Sequence, residues 1–448
     1  MSVNGLRLMS RPRQARPGNR PQTHPVSQSA IVRDVLPTGL RLLTERMPHV
    51  RSVSIGVWLA RGSRHETEEQ SGIAHFVEHM LFKGTGTRSA EDIAQTVDSI
   101  GGQMDAFTAK EYASYYFKVL DEHLPLAVEV LADIVMNPAF SSEDIGREKK
   151  VVLEEIKMVE DTPDDLVHEL FTENLWPAHP LGRPILGTKD TVEALTQEGL
   201  RTYFAETYSA PNLIVAAVGN IEHERVRDLV QRAFEKLNSS SNSVTEAPPH
   251  VVPTTVIRNK ELEQSHVCLG TGSYRQDHDE RYSSYVLNTV LGGSMSSRLF
   301  QNVREKRGLA YAVFSGLSAY RDAGSITIYA GCANGAVGEL IDVVIAELQR
   351  LKDEPLPESE LRRAKDHLKG SLMLNLESTS SRMSHLARQE IYFDRQFGLD
   401  ETLEGVERVS TDDVQRVAQD LFRDASLAAT VVGAVNSLAI PRERLALR

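Results

Sequence analysis

The feature that most constrains the fold of this chain is an internal match between two regions that lie 214 positions apart. The matching pairs are Val192 and Val406, Leu195 and Val409, Thr196 and Ser410, Leu200 and Val414, Leu213 and Leu427, and Gly219 and Gly433. Unrelated helix–strand units match at some positions by chance, but a constant offset without a gap is typical of a duplicated domain. The sequence therefore predicts two homologous half-domains.

Both halves mix helical and strand patterns in a similar order. In the first half, the spacing of apolar residues predicts a buried strand over 53–59 and a helix over 142–160. In the second half it predicts a strand over 264–274 and one long helix over 357–393. Because helices and strands alternate irregularly along both halves, we expect an α+β fold class.

Length and local composition suggest where these halves begin and end. A chain of 448 residues is too long for one ordinary hydrophobic core. A stretch rich in Ser, Asn and Pro, as found in linkers, follows residue 237. We therefore expect a tail at 1–31, a first half-domain at 32–237, a linker at 238–252 and a second half-domain at 253–448.

The N-terminal tail is basic. Residues 1–30 contain five arginines and no acidic residue, as an organelle transit peptide can. The same stretch contains four prolines, which oppose an amphipathic helix. A disordered basic tail is therefore the preferred prediction.

Charge, hydropathy and cysteine content argue against several classes of protein. The formal net charge of −12 argues against nucleic-acid binding, which requires a basic surface. No apolar run reaches the roughly 18 residues that a membrane helix needs, so no membrane span is expected. Cys268 and Cys332 lack metal-ligand spacing and are predicted to be reduced, buried thiols of a cytosolic-type protein, with a single disulfide between them as the alternative.

Residues 71–83 form the stretch with the clearest chemical character. The pattern predicts a helix, on which His75 and His79 are four positions apart and share a face. Glu78 lies at the edge of that face. Two imidazoles are good zinc ligands, and a nearby carboxylate can take a proton from an activated water. The stretch therefore predicts part of a metal site.

The predicted helix over 142–160 is the best source of a third ligand. It carries Glu148, Glu154 and Glu155 among apolar residues. Glu148 and Glu155 are seven positions apart and lie on the same face, so one can bind a metal while the other supports a ligand histidine. Spacing alone does not choose among the three glutamates.

The motif resembles a known family. His-x-x-Glu-His is the inverted order found in inverzincins. The string from Gly72 to Thr85 closely resembles the pitrilysin family of zinc metallopeptidases, especially the branch that contains the mitochondrial processing peptidase beta subunit and its bacterial relatives. The resemblance implies one Zn2+ per chain on His75, His79 and Glu155. It also implies that Glu78 is the general base and that Glu148 supports a ligand.

The resemblance extends to segments that would bind substrate. Residues 101–108 are similar to the edge strand of the family, to which an extended substrate adds by backbone pairing. This assigns Asp105, Ala106 and Phe107 to substrate binding, although many members have Asn at the position of Asp105. In the second half, the resemblance implies that Arg304 and Tyr311 reach the substrate or the oxyanion.

The resemblance also implies an architecture and an activity. Each half would be a mostly antiparallel sheet covered by helices, and two such chains would enclose a chamber. We therefore expect a zinc metalloendopeptidase that cleaves peptides or unfolded segments, as a homodimer or as a heterodimer with an inactive paralogue. The expected location is the bacterial cytoplasm, with the mitochondrial matrix as the alternative.

Two other functions are alternatives to the peptidase. One is a catalytically silent binding or structural subunit of a processing-peptidase-like heterodimer, but such a subunit would not need His75, Glu78, His79 and Glu155 together. The other is a purely structural zinc, which would call for four protein ligands. The peptidase remains the preferred prediction.

Overall fold

The computed structural model describes the chain except at its two ends and at three short internal gaps. The described residues are 31–240, 247–424, 426–436 and 438–447. The predicted basic tail lies outside them except for Ile31, and residues 241–246 of the predicted linker also lie outside them.

The first half consists of a sheet and the helices that follow its strands. Its strands are β1 (Ile31–Val35), β2 (Arg41–Arg46), β3 (Ser52–Leu59), β4 (Gln103–Thr108), β5 (Ala113–Leu120) and β6 (Leu213–Gly219). Its helices are α1 (Ile73–Leu81), α2 (Ala90–Ser99), α3 (Leu124–Met136), α4 (Ser142–Asp161), α5 (Pro163–Leu175), α6 (Lys189–Ala194), α7 (Gln197–Thr207) and α8 (His223–Ala233).

The second half is built in the same way. Its strands are β7 (Thr255–Asn259), β8 (Gln264–Ser273), β9 (Ala310–Ala319), β10 (Gly324–Ala333) and β11 (Ala428–Gly433). Its helices are α9 (Arg281–Leu291), α10 (Val337–Asp353), α11 (Glu358–Asn375), α12 (Thr379–Phe393), α13 (Leu399–Arg408) and α14 (Thr411–Leu421). A short π-helix, Phe300–Glu305, lies between α9 and β9.

The two sheets share one topology. The first has the strand order β1-β2-β6-β3-β5-β4 and the second β7-β11-β8-β10-β9, so the orders agree once β1 is set aside. The pairs β2–β6 and β7–β11 are parallel, and the other neighbouring strands are antiparallel. The predicted α+β fold of two homologous halves, each with a mostly antiparallel sheet, is confirmed.

The central strands of the first sheet are buried on both faces. Along β3, Val53, Ile55 and Val57 enter one hydrophobic core, whereas Trp58 enters another on the opposite face. Successive side chains of a strand point to opposite faces, and a sheet covered on both sides needs a continuous apolar run rather than an alternating one. This explains why 53–59 is recognisable as a buried strand.

Each half contributes one helix to the sheet of the other half. Helix α12 packs on β6 and β3 of the first sheet, and α5 packs on β11 and β8 of the second. Leu386 of α12 is buried in the same cluster as Trp58 and Ile214. In addition, the hydroxyl of Thr379 lies 2.9 Å from that of Ser54. Because of this reciprocal exchange, neither sheet is fully covered by its own half alone.

The exchange explains why the single long helix predicted over 357–393 is wrong. The structure divides that range into α11 and α12, with Ser378 in an extended conformation between them. Serine and threonine are weak helix formers, and Ser378 to Ser381 contain four in a row. The break lets α12 leave the second half and cross onto the first sheet.

The structure also describes both cysteines and the length and polarity of the helices. Both Cys268 and Cys332 are buried and unbridged, as predicted. Among the helices within the described ranges, none combines the length and the apolar character required to cross a bilayer.

The exchanged helix leads to a first prediction. Leu386→Ala removes a fully buried side chain from the contact between α12 and the first sheet, and we expect it to lower the free energy of unfolding by about 2–5 kcal/mol. Urea unfolding followed by the fluorescence of Trp58, with Trp176 replaced by Phe, measures this change. The control is Leu374→Ala, because this side chain is 71% exposed and should change stability by less than about 0.5 kcal/mol. Equal effects of both variants would contradict the packing of α12.

Candidate metal centre

The site begins with the way in which the chain enters α1. Gly72 precedes the helix with φ of 94°, and a Cβ atom there would come within 2.6 Å of the carbonyl oxygen of Leu186. Only glycine combines this left-handed conformation with such a close approach. The buried carboxylate of Glu66 accepts hydrogen bonds from the backbone N–H groups of Gly72, at 2.9 Å, and Ala74, at 2.8 Å. The start of the helix is therefore fixed by contacts from elsewhere in the chain.

The apolar face of α1 determines which side chains remain near the surface. Ile73, Phe76, Val77 and Met80 are buried in the main core of the first half. His75, Glu78 and His79 are only partly buried, since they lie on the other side of the helix. The same periodicity that packs the helix thus presents all three polar groups together.

The structure brings both histidines to Glu155 on α4. The Nε2 atoms of His75 and His79 are 3.3 Å apart, and Glu155 Oε2 lies 3.7 Å from the first and 3.6 Å from the second. Within the described part of the chain, these three residues form the one group of His, Cys, Asp or Glu side chains close enough to hold a metal ion together. Glu154, the neighbouring alternative, is exposed and pairs with Lys157 instead.

The spacing of these three atoms fits a metal ion. Metal–ligand bonds of 2.0–2.2 Å at tetrahedral angles would place the ligand atoms about 3.3–3.6 Å from one another. Burial, together with the neighbouring His79, lowers the pKa of His75 to about 4. This residue is therefore a neutral imidazole at neutral pH, which is the form that binds metals. Two imidazoles and one carboxylate also leave room for a fourth ligand.

Glu148 lies behind His79. Its Oε2 atom is 3.1 Å from His79 Nδ1, and its Oε1 atom is 2.8 Å from Lys83 Nζ. Because Nδ1 is engaged in this way, His79 turns its Nε2 atom toward the cluster. Lys83, which keeps the buried Glu148 carboxylate paired, was not identified from the sequence.

Glu78 is hydrogen-bonded to the end of β4. The hydroxyl of Thr108 donates a hydrogen bond of 2.5 Å to Glu78 Oε2. Burial raises the pKa of Glu78, and this hydrogen bond opposes the increase. Thr108 was also missed from the sequence, because a contact between residues 30 positions apart has no local signal.

The predicted substrate strand lies at the edge of the first sheet. β4 ends the strand order and pairs with β5 on its other side. Asp105 accepts a 2.9 Å hydrogen bond from the Tyr116 hydroxyl, and the ring of Phe107 packs 5.7 Å from that of Trp58. The backbone edge of Asp105, Ala106 and Phe107 is thus on the outer side of the sheet, as strand addition requires.

Arg304 and Tyr311 lie together in the second half. The guanidinium of Arg304 sits 4.4 Å from the centre of the Tyr311 ring, and Tyr311 is 78% exposed. Among the described residues, no hydrogen bond or ion pair links either side chain to the ligand cluster. Their predicted contact with substrate therefore stays a prediction.

Family comparisons assign both halves of the chain to one group. Residues 41–189 match the model described as insulinase, peptidase family M16, and residues 194–368 match the model described as the peptidase M16 inactive domain. The chain is 43% identical over 394 residues to the uncharacterized zinc protease YmxG of Bacillus subtilis, covering 88% of this chain and 96% of that protein. It is 42% identical over 400 residues to the uncharacterized zinc protease SCO5738 of Streptomyces coelicolor, covering 88% and 87%.

Solved structures share the fold. A protease from Helicobacter pylori superposes with a TM-score of 0.84 at 23% identity and covers 91% of this chain and 100% of its own. A structure described as the peptidase M16 inactive domain from Pseudomonas fluorescens gives a TM-score of 0.85 at 19% identity, with coverage of 92% and 100%. At these identities the likeness concerns the fold alone.

The contact of Glu66 with the start of α1 leads to a second prediction. Burial raises the pKa of Glu66 from 4.5 to about 7, although both backbone N–H donors and the Arg183 charge oppose this. A raised folded-state pKa means that the stability contributed by the bound proton is present below pH 4.5 and is lost as pH rises through about 7. We therefore expect wild type to lose about 1–3 kcal/mol relative to Glu66→Gln between pH 4.5 and pH 8.

Paired urea titrations of both proteins at each pH measure this difference. A chelator is included so that metal binding does not contribute to the unfolding free energy. Other titrating groups cancel because they are common to both proteins. A difference that stays constant with pH would show that the N–H donors keep Glu66 ionised throughout.

Proposed function

The chain belongs to peptidase family M16, and from this membership and the geometry of the site we propose that it is a zinc-dependent endopeptidase. The substrate would be a peptide or an unfolded segment that binds as an extended β-strand. The observation that carries the proposal is the convergence of His75, His79 and Glu155 at metal-ligand spacing, with Glu78 one helix position from His79.

The residues of the cluster divide into those that would hold zinc and those that move protons. His75, His79 and Glu155 would hold the ion. When bound, zinc acts as a Lewis acid that makes water more acidic and polarises a carbonyl group. Glu148 orients His79 through its Nδ1 atom and so acts as a positioning residue.

Glu78 is suited to be the general base. Its Oε2 atom accepts the Thr108 hydroxyl, which leaves Oε1 without a hydrogen-bond partner among the described residues. Burial raises the pKa of Glu78 toward neutral pH. A general base is most effective when its pKa lies near the pH at which the enzyme works. Glu78 would take a proton from the attacking water and then give it to the nitrogen of the leaving amine.

Substrate contacts would come from both halves. The unpaired edge of β4 at Asp105, Ala106 and Phe107 supplies backbone donors and acceptors for an added strand. Arg304 and Tyr311 would stabilise the oxyanion.

The partner and the location complete the proposal. The chain has two half-domains, and we propose that two chains, either identical or including an inactive paralogue, enclose the substrate. The alternative of a catalytically silent subunit is less well supported because the chain has a complete set of His75, Glu78, His79 and Glu155. The bacterial relatives make the bacterial cytoplasm our proposed location.

An acidic cavity against α4, the helix that carries Glu155, suggests a preference for basic substrates. This cavity, of about 280 Å³, lies against α4 and α5 and is lined by three acids, Glu160, Glu169 and Glu173, and by two bases, Lys189 and Arg258. Arg258 pairs with Glu160 at 2.9 Å, which leaves Glu169 and Glu173 as the carboxylates available to a substrate. Ile156, which follows Glu155 in the chain, also lines it. Carboxylates bind guanidinium and ammonium groups by charge-assisted hydrogen bonds. We therefore propose that basic side chains of the substrate enter this cavity.

The general-base role leads to a third prediction. We expect Glu78→Gln to keep one zinc per chain but to lower kcat/KM for peptide cleavage by about 10²–10⁴-fold, because the amide cannot accept the proton. Elemental analysis and mass-spectrometric cleavage assays measure the two quantities. Glu155→Gln should lose zinc, whereas Glu154→Gln, its neighbour on the exposed face, should keep both zinc and activity.

Other outcomes would point elsewhere. Cleavage by Glu78→Gln at the wild-type rate would exclude Glu78 as the base. Zinc bound fully by Glu155→Gln would exclude Glu155 as the third ligand. Wild type without zinc and without cleavage would favour the silent subunit.

The acidic cavity leads to a fourth prediction. The test uses two peptides of the same length, one with Lys and Arg and the other with Glu and Asp at the same positions. We expect kcat/KM for the basic peptide to be about ten-fold higher than for the acidic one. Glu169→Gln together with Glu173→Gln should reduce this ratio by removing the carboxylates. Glu224→Gln on α8, whose side chain is 79% exposed, is the control and should leave the ratio unchanged. Equal cleavage of both peptides by wild type would contradict the preference.

A further inference from the structure

A second and larger cavity, of about 440 Å³, lies in the second half between α9, α11, α12 and α13. Its lining is rich in aromatic rings: Tyr112, Tyr282, Tyr285, Tyr392, Phe393 and Phe397. Cavities of about 300–1,000 Å³ with a mostly apolar and aromatic lining and a few polar groups are typical small-molecule sites. The size and lining thus fit a ligand rather than a packing defect.

The cavity carries two guanidinium groups, and Glu401, which lies outside the lining, interacts electrostatically with one of them, Arg281. Arg281 and Arg388 line it, and none of the lining residues is an Asp or a Glu. Arg281 donates to the backbone oxygen of His278 and to the Tyr282 hydroxyl, both at 3.3 Å, and its guanidinium lies 4.4 Å from the centre of the Tyr282 ring. Neither arginine forms an ion pair with a carboxylate of the described residues. His385 adds no charge, because burial lowers its pKa to about 4.

The corresponding cavities of the two halves differ in the charge of their lining. α11, α12 and α13 take the places in the second half that α4, α5 and α6 take around the acidic cavity of the first. His385 and Gln389 stand at the same distances from the start of α12 as Glu169 and Glu173 do from the start of α5. The second cavity therefore lacks these two carboxylates, and its two guanidinium groups come from other positions, Arg388 on α12 and Arg281 on α9.

We propose that this cavity binds a small organic anion with a flat aromatic body. The planar guanidinium groups match the geometry of a carboxylate or sulfonate and bind it with two parallel hydrogen bonds. The surrounding rings stack on, or meet edge-on, an aromatic ligand. The site is separate from the ligand cluster on α1 and α4, and it does not depend on peptidase activity.

Two fluorescent probes that differ in one charged group test the proposal. They are 8-anilinonaphthalene-1-sulfonate and its uncharged counterpart N-phenyl-1-naphthylamine, titrated against the full-length chain. We expect saturable binding of the sulfonate at one site per chain. Arg281→Met and Arg388→Met should each raise the Kd of the sulfonate about ten-fold, and neither should change the Kd of the uncharged probe.

Matched variants keep the test decisive. Arg232→Met removes a charge from α8, which does not line the cavity, and should change neither Kd. Arg281→Lys keeps the charge and should raise the Kd of the sulfonate less than Arg281→Met does. Arg281→Lys replaces Arg281→Met if the latter does not fold. Absence of saturable sulfonate binding would overturn the proposal. An equal rise in the Kd of both probes would also overturn it, as would a sulfonate Kd that neither arginine substitution changes.

Discussion

The contact between α1 and α4 is the constraint on which the rest of the site depends. His79 Nδ1 meets Glu148 near the start of α4, and two turns later the same helix brings Glu155 to the Nε2 atoms of both histidines. A rotation of either helix by one residue would move these groups apart by about 100°. Buried apolar residues such as Phe76 on α1 and Val152 on α4 oppose that rotation, because it would expose them. The packing of the core therefore determines the geometry of the polar cluster.

The duplication shows how one architecture supports two different interiors. Helix α9 follows β8 as α1 follows β3, and both pairs α1–α4 and α9–α11 are in contact. On α9 the polar positions are occupied by residues such as Tyr282, Tyr285 and Asn288, which do not form a divalent-metal site. Helix α5 of the first half covers the second sheet, and α12 of the second half covers the first sheet. Loss of either half would therefore uncover the sheet of the other. One half could thus change its chemistry while it was retained for packing.

The sequence was sufficient for features with a local pattern or an internal repeat. The buried strand β3 follows from a continuous apolar run, the shared face of His75 and His79 from a spacing of four, and the two homologous α+β halves from the 214-residue offset and the order of helix and strand patterns. Features that depend on long-range contacts were not accessible in this way. Spacing left Glu148, Glu154 and Glu155 equivalent, and only the family resemblance selected Glu155.

The same limit explains the residues that were missed. Thr108, Lys83 and Glu66 act through partners on other elements, so no local pattern identifies them. The apolar pattern of α12 indicates that it is buried, but a helix periodicity cannot specify which sheet it covers.

β4 joins substrate binding to proton transfer in the proposed mechanism. Side chains of a strand alternate, so Met104, Ala106 and Thr108 share one face while Phe107 lies on the other. Met104 and Ala106 pack against the core that includes α1, and Thr108 at the end of the same face binds the carboxylate of Glu78. Phe107 is held by Trp58, which in turn packs with α12 of the second half. The strand that would receive the substrate is therefore fixed by the base on one face and by the exchanged helix on the other, and a shift of β4 would displace the substrate edge and Glu78 together.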